Sequence, residues 1–320
     1  MSKVIITPED LATSARKYRS DLIMQPVHAL ADTLKHMTLR TGIRYAETVG
    51  EMSGDIEIGP YDESRTDEKD IKIDGRTLYT YLGSVVKKFS PNSVAQSIYG
   101  SAITKGESLK TVEITKQVLA FLAAKIGQGL DLHIFDAVRN EKGTGSADLF
   151  NGFDTITGKE ITAGTIATTK GNLYEFTEKI DKNNAVDSIV SMCRKADNLL
   201  VGRNKNLKLF IPYEILHAYN DDYKATTGAV PYNTQYEQQY VEGFRNIELV
   251  PMYQKAGSQY IHLTTANNML VGVNLQGEEE RLEVEKHHEF LLSFVATLFF
   301  GVEFESIAKE RMLVGQLVTE

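Results

Sequence analysis

The sequence predicts an α+β fold, on three observations. Two runs in which isoleucines alternate with charged residues, GDIEIG and KDIKIDGRTLYTYL, bracket a polar stretch and read as the arms of a long β-hairpin. The run ESLKTVEITKQVLAFLAAKIGQGLDLHIFDAV repeats apolar residues every three or four positions and reads as one helix of roughly 30 residues, about 45 Å long. Near the end, EFLLSFVATLFFGVEF is apolar at every second position, which is the period of a strand.

Composition sets the frame. The chain has 320 residues, 42% of them hydrophobic and 24% charged, enough to bury a sizeable core in a soluble protein. A net charge of −8 excludes a general nucleic-acid binder that works by neutralising phosphates. Cys193 is the single cysteine, so an intrachain disulfide and a cysteine zinc cluster are both excluded, in keeping with a reducing compartment. The first twenty residues lack the apolar centre of a secretory signal.

From the start, Thr7, Pro8, Glu9 and Asp10 form a helix opening, and Leu11, Ala15, Tyr18 and Leu22 continue it over 7–23. Val27, Leu30, Leu34 and Met37 make a second helical stripe, with Gly42 as its expected stop. In the hairpin, PYDESRTDE forms a wet tip, and the arms are too polar for a core, so the element is expected to project. FSPNSVAQSIYG reads as a short helix from Ser90 and Pro91 to Gly100. In the long helix, Val112, Leu119, Leu122, Ile126, Leu130, Ile134 and Val138 share the apolar stripe, and Gly127 and Gly129 permit a bend. Beyond a Gly/Thr-rich stretch, Val186, Ile189, Cys193 and Leu200 face inward from a helix, and LKLFI is a strand before a helix opening at Pro212. IELVPM, YIHLTT and MLVGVN are short strands, the last two joined by the tight-turn residues Ala266, Asn267 and Asn268.

The motifs that carry chemistry fail one by one. GFDTITGKE resembles a phosphate loop, but its glycine spacing is wrong and Glu160 stands where a magnesium-binding hydroxyl belongs. Asp67, Asp70 and Asp74 lack the alternate-residue spacing of a calcium loop. No G-x-S-x-G elbow occurs, and Cys193 reads as a packed small hydrophobe. Tyr232, Tyr236, Tyr240 and Phe244 recur every fourth residue, yet Glu237 and Glu242 intervene where a single-strand binder needs cations. His287 and His288 point to opposite faces if extended, so with Glu289 they converge poorly on one ion. The apolar run beyond them, Phe290 to Val302, is too short for a spanning helix, which needs ~20 residues.

Order and texture carry a resemblance instead. YIHLTTANNMLVGVN followed by LEVEKHHEFLLSFVATLFFGVEF, together with LYTYLGSVVKKFSPNSVAQSIYG after the hairpin, resembles the major capsid proteins of tailed bacteriophages, with the Hong Kong 97-type fold. The likeness covers most of residues 45–315. It implies an N-terminal arm over 1–50, an extended loop over 51–77, and a peripheral domain over 78–173 and 282–320 whose spine helix is 107–139. Residues 174–281 would be the axial domain, meeting its copies around pentamer and hexamer axes.

The implied protein is not an enzyme and needs no cofactor or metal. Its partners are other copies of itself, a portal, a separate scaffolding protein or none, and packaged double-stranded DNA held non-specifically, with no membrane. It would assemble in the bacterial host cytoplasm and end in the virion. The expected inter-subunit contacts are Asp62, Glu63, Arg65, Asp67, Lys69 and Lys72 of the loop, with Tyr232 and Tyr236. Some members of the family cross-link a loop lysine to a neighbour's asparagine; no motif here identifies such a partner. Two alternatives stand beside this reading: an encapsulin-like nanocompartment shell, and a metal-dependent hydrolase using His287, His288 and Glu289.

Overall fold

The computed structural model describes residues 19–53, 61, 72–89, 111–228, 239–274, 282–288 and 291–318. Most of the helix expected over 7–23, and the short helix over 90–100, lie outside these. The described residues open with α1 (Arg19–Ala29) and a single turn, α2 (Ala31–Leu34). Leu30 and Met37 are buried, as their stripe predicts, but the helix does not run on to Gly42. Residues from Thr38 are extended as β1 (Thr38–Thr41), because a strand further along the chain offers them backbone partners, and Gly42, at φ +82°, ends that strand.

An antiparallel pair follows, β2 (Ala46–Ser53) and β3 (Lys72–Tyr79), from Ala46 opposite Tyr79 to Ser53 opposite Lys72. The hairpin therefore begins within residues expected to be the N-terminal arm, while the expected first arm GDIEIG lies outside the described residues. Only Thr80 separates β3 from β4 (Tyr81–Phe89). The long helix is α3 (Thr111–Leu132), unbroken at both glycines but ending short of the expected 139. Ile134 and Val138 lie beyond it in a turn and an irregular segment, where the Val138 N–H donates to the Ala147 carbonyl at 2.9 Å instead of continuing the helix. Gly127 serves packing: a Cβ there would lie 2.1 Å from the Pro26 carbonyl oxygen, so the glycine lets α1 close against α3.

The remainder comprises α4 (Phe153–Thr162), β5 (Leu173–Glu175), α5 (Ala185–Lys195), α6 (Asn198–Arg203), β6 (Leu207–Ile211) and α7 (Tyr213–Thr227). Then come β7 (Gln239–Tyr240), β8 (Ile247–Pro251), β9 (Tyr260–Thr265), β10 (Met269–Asn274), β11 (Leu282–His288), β12 (Leu291–Phe304) and β13 (Met312–Gln316).

These strands form two larger sheets. In the first, β12 is the axis: β4 pairs along one edge, while β11 and then β10 share the other, and β1 lies parallel outside β10. At 14 residues β12 is far longer than an average strand, and one edge serves two partners in succession. The second sheet runs β5-β13-β9-β6-β8-β7. Of residues 282–320, β11 and β12 therefore belong to the first sheet and β13 to the second. Each sheet packs one face on a shared core, where Phe300, Val302 and Phe304 of β12 meet Phe135, Phe153, Phe210 and Val250. The outer face of the second sheet packs α5 and α7 through Ile189, Met192, Cys193, Leu209, Ile215 and Leu263.

The three residues between β9 and β10 do not make a hairpin. They carry the chain from one sheet into the other, because buried Asn268 supplies the partners that a hairpin ladder would have supplied. Its amide nitrogen donates to Thr264 Oγ1 and the Ser306 carbonyl, both at 2.9 Å, and its side-chain oxygen accepts the Ser306 N–H at 2.8 Å.

Candidate assembly interface

The hairpin crosses the face of the first sheet at a notch of two glycines. Gly272 of β10 and Gly301 of β12 are register partners, side by side. A Cβ on Gly301 would sit 1.9 Å from the Tyr79 carbonyl oxygen, and one on Gly272 would sit 2.8 Å from Thr80 Cγ2. The absence of two side chains is what lets the root of the hairpin lie flat on the sheet. Thr80 is buried and its hydroxyl donates to the Ile43 carbonyl at 3.2 Å. Beside the notch Tyr45, at φ +64°, sets its ring edge-on to Phe299 at 5.1 Å.

A single arginine fastens this root electrostatically. Arg76 of β3 reaches Glu160 of α4 at 2.7 Å and Glu303 of β12 at 2.8 Å. Burial alone would lower the guanidinium's pKa, but Glu303 and Glu160 outweigh it and hold Arg76 above its ordinary value. The two carboxylates respond in opposite directions. Burial raises Glu303 above the usual carboxylate range in spite of Arg76. For Glu160 burial also pulls upward, yet hydrogen bonds from Thr165 and Arg76 prevail and its pKa falls. Glu303 lies in the drier surroundings, so the same guanidinium compensates it less fully.

Two further charged contacts tie the parts together. Lys208 of the second sheet bonds Glu248 at 3.1 Å and lies 2.8 Å from His36 Nδ1, behind α2. Burial first, and then Lys208, hold the His36 imidazole below its ordinary pKa. Between α4 and the turn before β9, buried Lys255 bonds Asp154 at 2.7 Å. Asp154 and Glu160 fall within the phosphate-loop look-alike, which points to a different chemistry, and of Arg76, Lys255 and Glu303 only Glu303, a charge inside an apolar strand, carries a local signal.

Of the expected contact residues, Asp62, Glu63, Arg65, Asp67, Lys69, Tyr232 and Tyr236 lie outside the described residues. Lys72 opens β3 opposite Ser53, and its side chain is likewise outside them. Tyr61 is 90% exposed, and Tyr240, from the same tyrosine series, sits on edge strand β7. His287 and His288 close β11 rather than opening the long strand, with a bulge between Lys286 and His288; their side chains and Glu289 are outside the described residues. Among the described residues no group of three or more His, Cys, Asp or Glu is placed to hold a metal ion, and no helix is long and apolar enough to cross a membrane. The phosphate-loop look-alike is α4, where Gly152 serves packing, since a Cβ there would meet the Phe135 carbonyl oxygen at 2.2 Å.

No family model matches the chain, and no curated protein matches it by sequence. Solved structures do match in fold. The capsid asymmetric unit of cyanophage A-1(L) superimposes with a TM-score of 0.58 at 12% identity, covering 93% of this chain and 94% of that one. The satellite phage P4 procapsid, which includes the size determination protein, gives 0.56 at 8% identity over 92% and 91%. The capsid of the native GTA particle gives 0.56 at 12% identity over 91% and 90%. The chain has the fold of these shell subunits, the Hong Kong 97-type α+β fold, along nearly its whole length.

Proposed function

We propose that this chain is the major capsid protein of a tailed bacteriophage or prophage. Copies would join through pentamers and hexamers into an icosahedral head around double-stranded DNA. The observation that carries the reading is the fold, shared over 91–93% of the chain with three structures of capsids. The fastened root of the hairpin supports it, because an arm that reaches a neighbour transmits force only if its base is fixed. In this reading the loop residues Asp62, Glu63, Arg65, Asp67, Lys69 and Lys72, with Tyr232 and Tyr236, touch adjacent copies. The second sheet with α5 and α7 would face the local symmetry axes. Many modest contacts of this kind sum to a stable lattice. The chain's net negative charge suits a container that must not grip its DNA tightly.

Electron microscopy of the concentrated, purified protein tests this. Rings or closed shells are expected, and a particle that stays monomeric at every concentration and salt would overturn the reading. Shells isolated from the natural source should hold DNA; a filling of enzyme would assign the chain to a nanocompartment instead.

A further inference from the structure

A cluster of polar and ionisable side chains is buried at the junction of α4 and the second sheet. Lys255 is fully buried, with Nζ 2.7 Å from Asp154 Oδ1 and 4.3 Å from the centre of the Phe135 ring. The other Asp154 oxygen, Oδ2, accepts the Ser258 hydroxyl at 2.6 Å. His262, also fully buried, lies between the rings of Phe135 and Phe304. Its tautomer follows from its neighbours. The Thr157 hydroxyl donates to the Phe153 carbonyl at 2.9 Å, so toward His262 Nε2, at 2.8 Å, it can only accept. Nε2 therefore carries the proton, and Nδ1 presents a bare lone pair 3.3 Å from Lys255 Nζ and 3.7 Å from Asp154 Oδ1. Burial depresses both the lysine and the histidine, which favours a free amine and a neutral imidazole.

We propose that Lys255 and Asp154 condense to form an intramolecular amide, with Lys255 Nζ bonded to Asp154 Cγ. The proton in the short Nζ to Oδ1 hydrogen bond first passes to the carboxylate, leaving an amine beside a carboxylic acid. The amine lone pair attacks Cγ and an N–C bond forms. Charge gathers on Oδ2, where the Ser258 hydroxyl stabilises it. His262 Nδ1 takes a proton from the attacking nitrogen and delivers it to Oδ1, the Cγ–Oδ1 bond breaks, and one water leaves. Atoms and charge balance, since an ammonium and a carboxylate become an amide and water with no oxidant or co-reactant.

Two physical terms favour the step. Holding the reactants in contact replaces a bimolecular encounter, equivalent to an effective concentration of order 10⁵ M or more. It also removes two charges from a dry site, where a paired lysine and carboxylate are costly to keep. Asp154 is 13% exposed, so the water has a way out.

The test is the intact mass of the full chain under denaturing conditions. The expected value lies about 18 Da, one water, below the mass of the sequence, with a digest yielding one branched peptide that joins Asp154 to Lys255. Lys255→Met should restore the full mass. His262→Gln should slow the mass loss when newly made protein is sampled over time. Wild-type chain at full mass, in a sample whose circular dichroism shows it folded, overturns the proposal. So does a water loss confined to a peptide that lacks Lys255.

Discussion

Arg76 holds two carboxylates from distant parts of the chain with one guanidinium, so its loss exposes a specific imbalance. Arg76→Ala leaves Glu303 and Glu160 facing each other with no cation between them. A cost of about 2–3 kcal/mol in urea unfolding of the subunit is expected, and Glu303→Gln in the same chain should recover part of it. His262 gives a pH signature. Its pKa is depressed by burial first and by Lys255 second, so the folded chain binds this proton less readily than the unfolded chain. Its stabilising contribution is complete above the ordinary value of 6.5 and is lost as pH falls below it toward the depressed folded value. Unfolding free energy should therefore drop by up to about 1.4 kcal/mol per pH unit there, and His262→Gln should flatten that slope. Burial pushes the Cys193 thiol up to about 12. Iodoacetamide should leave it unmodified in the folded protein and alkylate it fully in urea, as mass spectrometry would show.

At the scale of elements, the glycine notch makes the sharpest claim. Gly301→Val places atoms inside the Tyr79 carbonyl, and the hairpin root must lift. Hydrogen exchange should quicken across β2 and β3 while α5, α7 and the second sheet keep their protection. Strand β12 itself is legible in the sequence, because period-two apolarity over so many residues has no helical counterpart. The second arm of the hairpin, β3, is legible for the same reason, but β2 is not: it precedes the expected first arm GDIEIG, which lies outside the described residues, and its own residues AETVGEMS show no such alternation. The turn between β9 and β10 is not: its residues suit a tight hairpin equally well, and only the distant Ser306 backbone turns Asn268 into a crossing point between sheets. Likewise the strand over Thr38–Thr41 exists because β10 lies beside it, which no local pattern announces.

For the whole molecule, the class of fold is legible in the order of its parts, while the charged fastenings are not. Arg76 and Glu303 are 227 positions apart, and Lys255 and Asp154 are 101 apart, so no window of sequence contains either pair. Replacing residues 54–71 by a two-residue turn keeps the described pairing up to Ser53 and Lys72 and should leave a folded subunit. Under the proposed function it should no longer close shells, which sedimentation and microscopy would read directly.

Strand β13 constrains the order in which the chain can fold as it is made. It is the last of the described strands in the chain, yet it sits inside the second sheet, between β5 and β9. During synthesis that sheet must wait with an interior slot open until residues 312–316 have left the ribosome. Under the proposed function, a chain halted before these residues would lack an interior strand and could not present a finished surface to its neighbours.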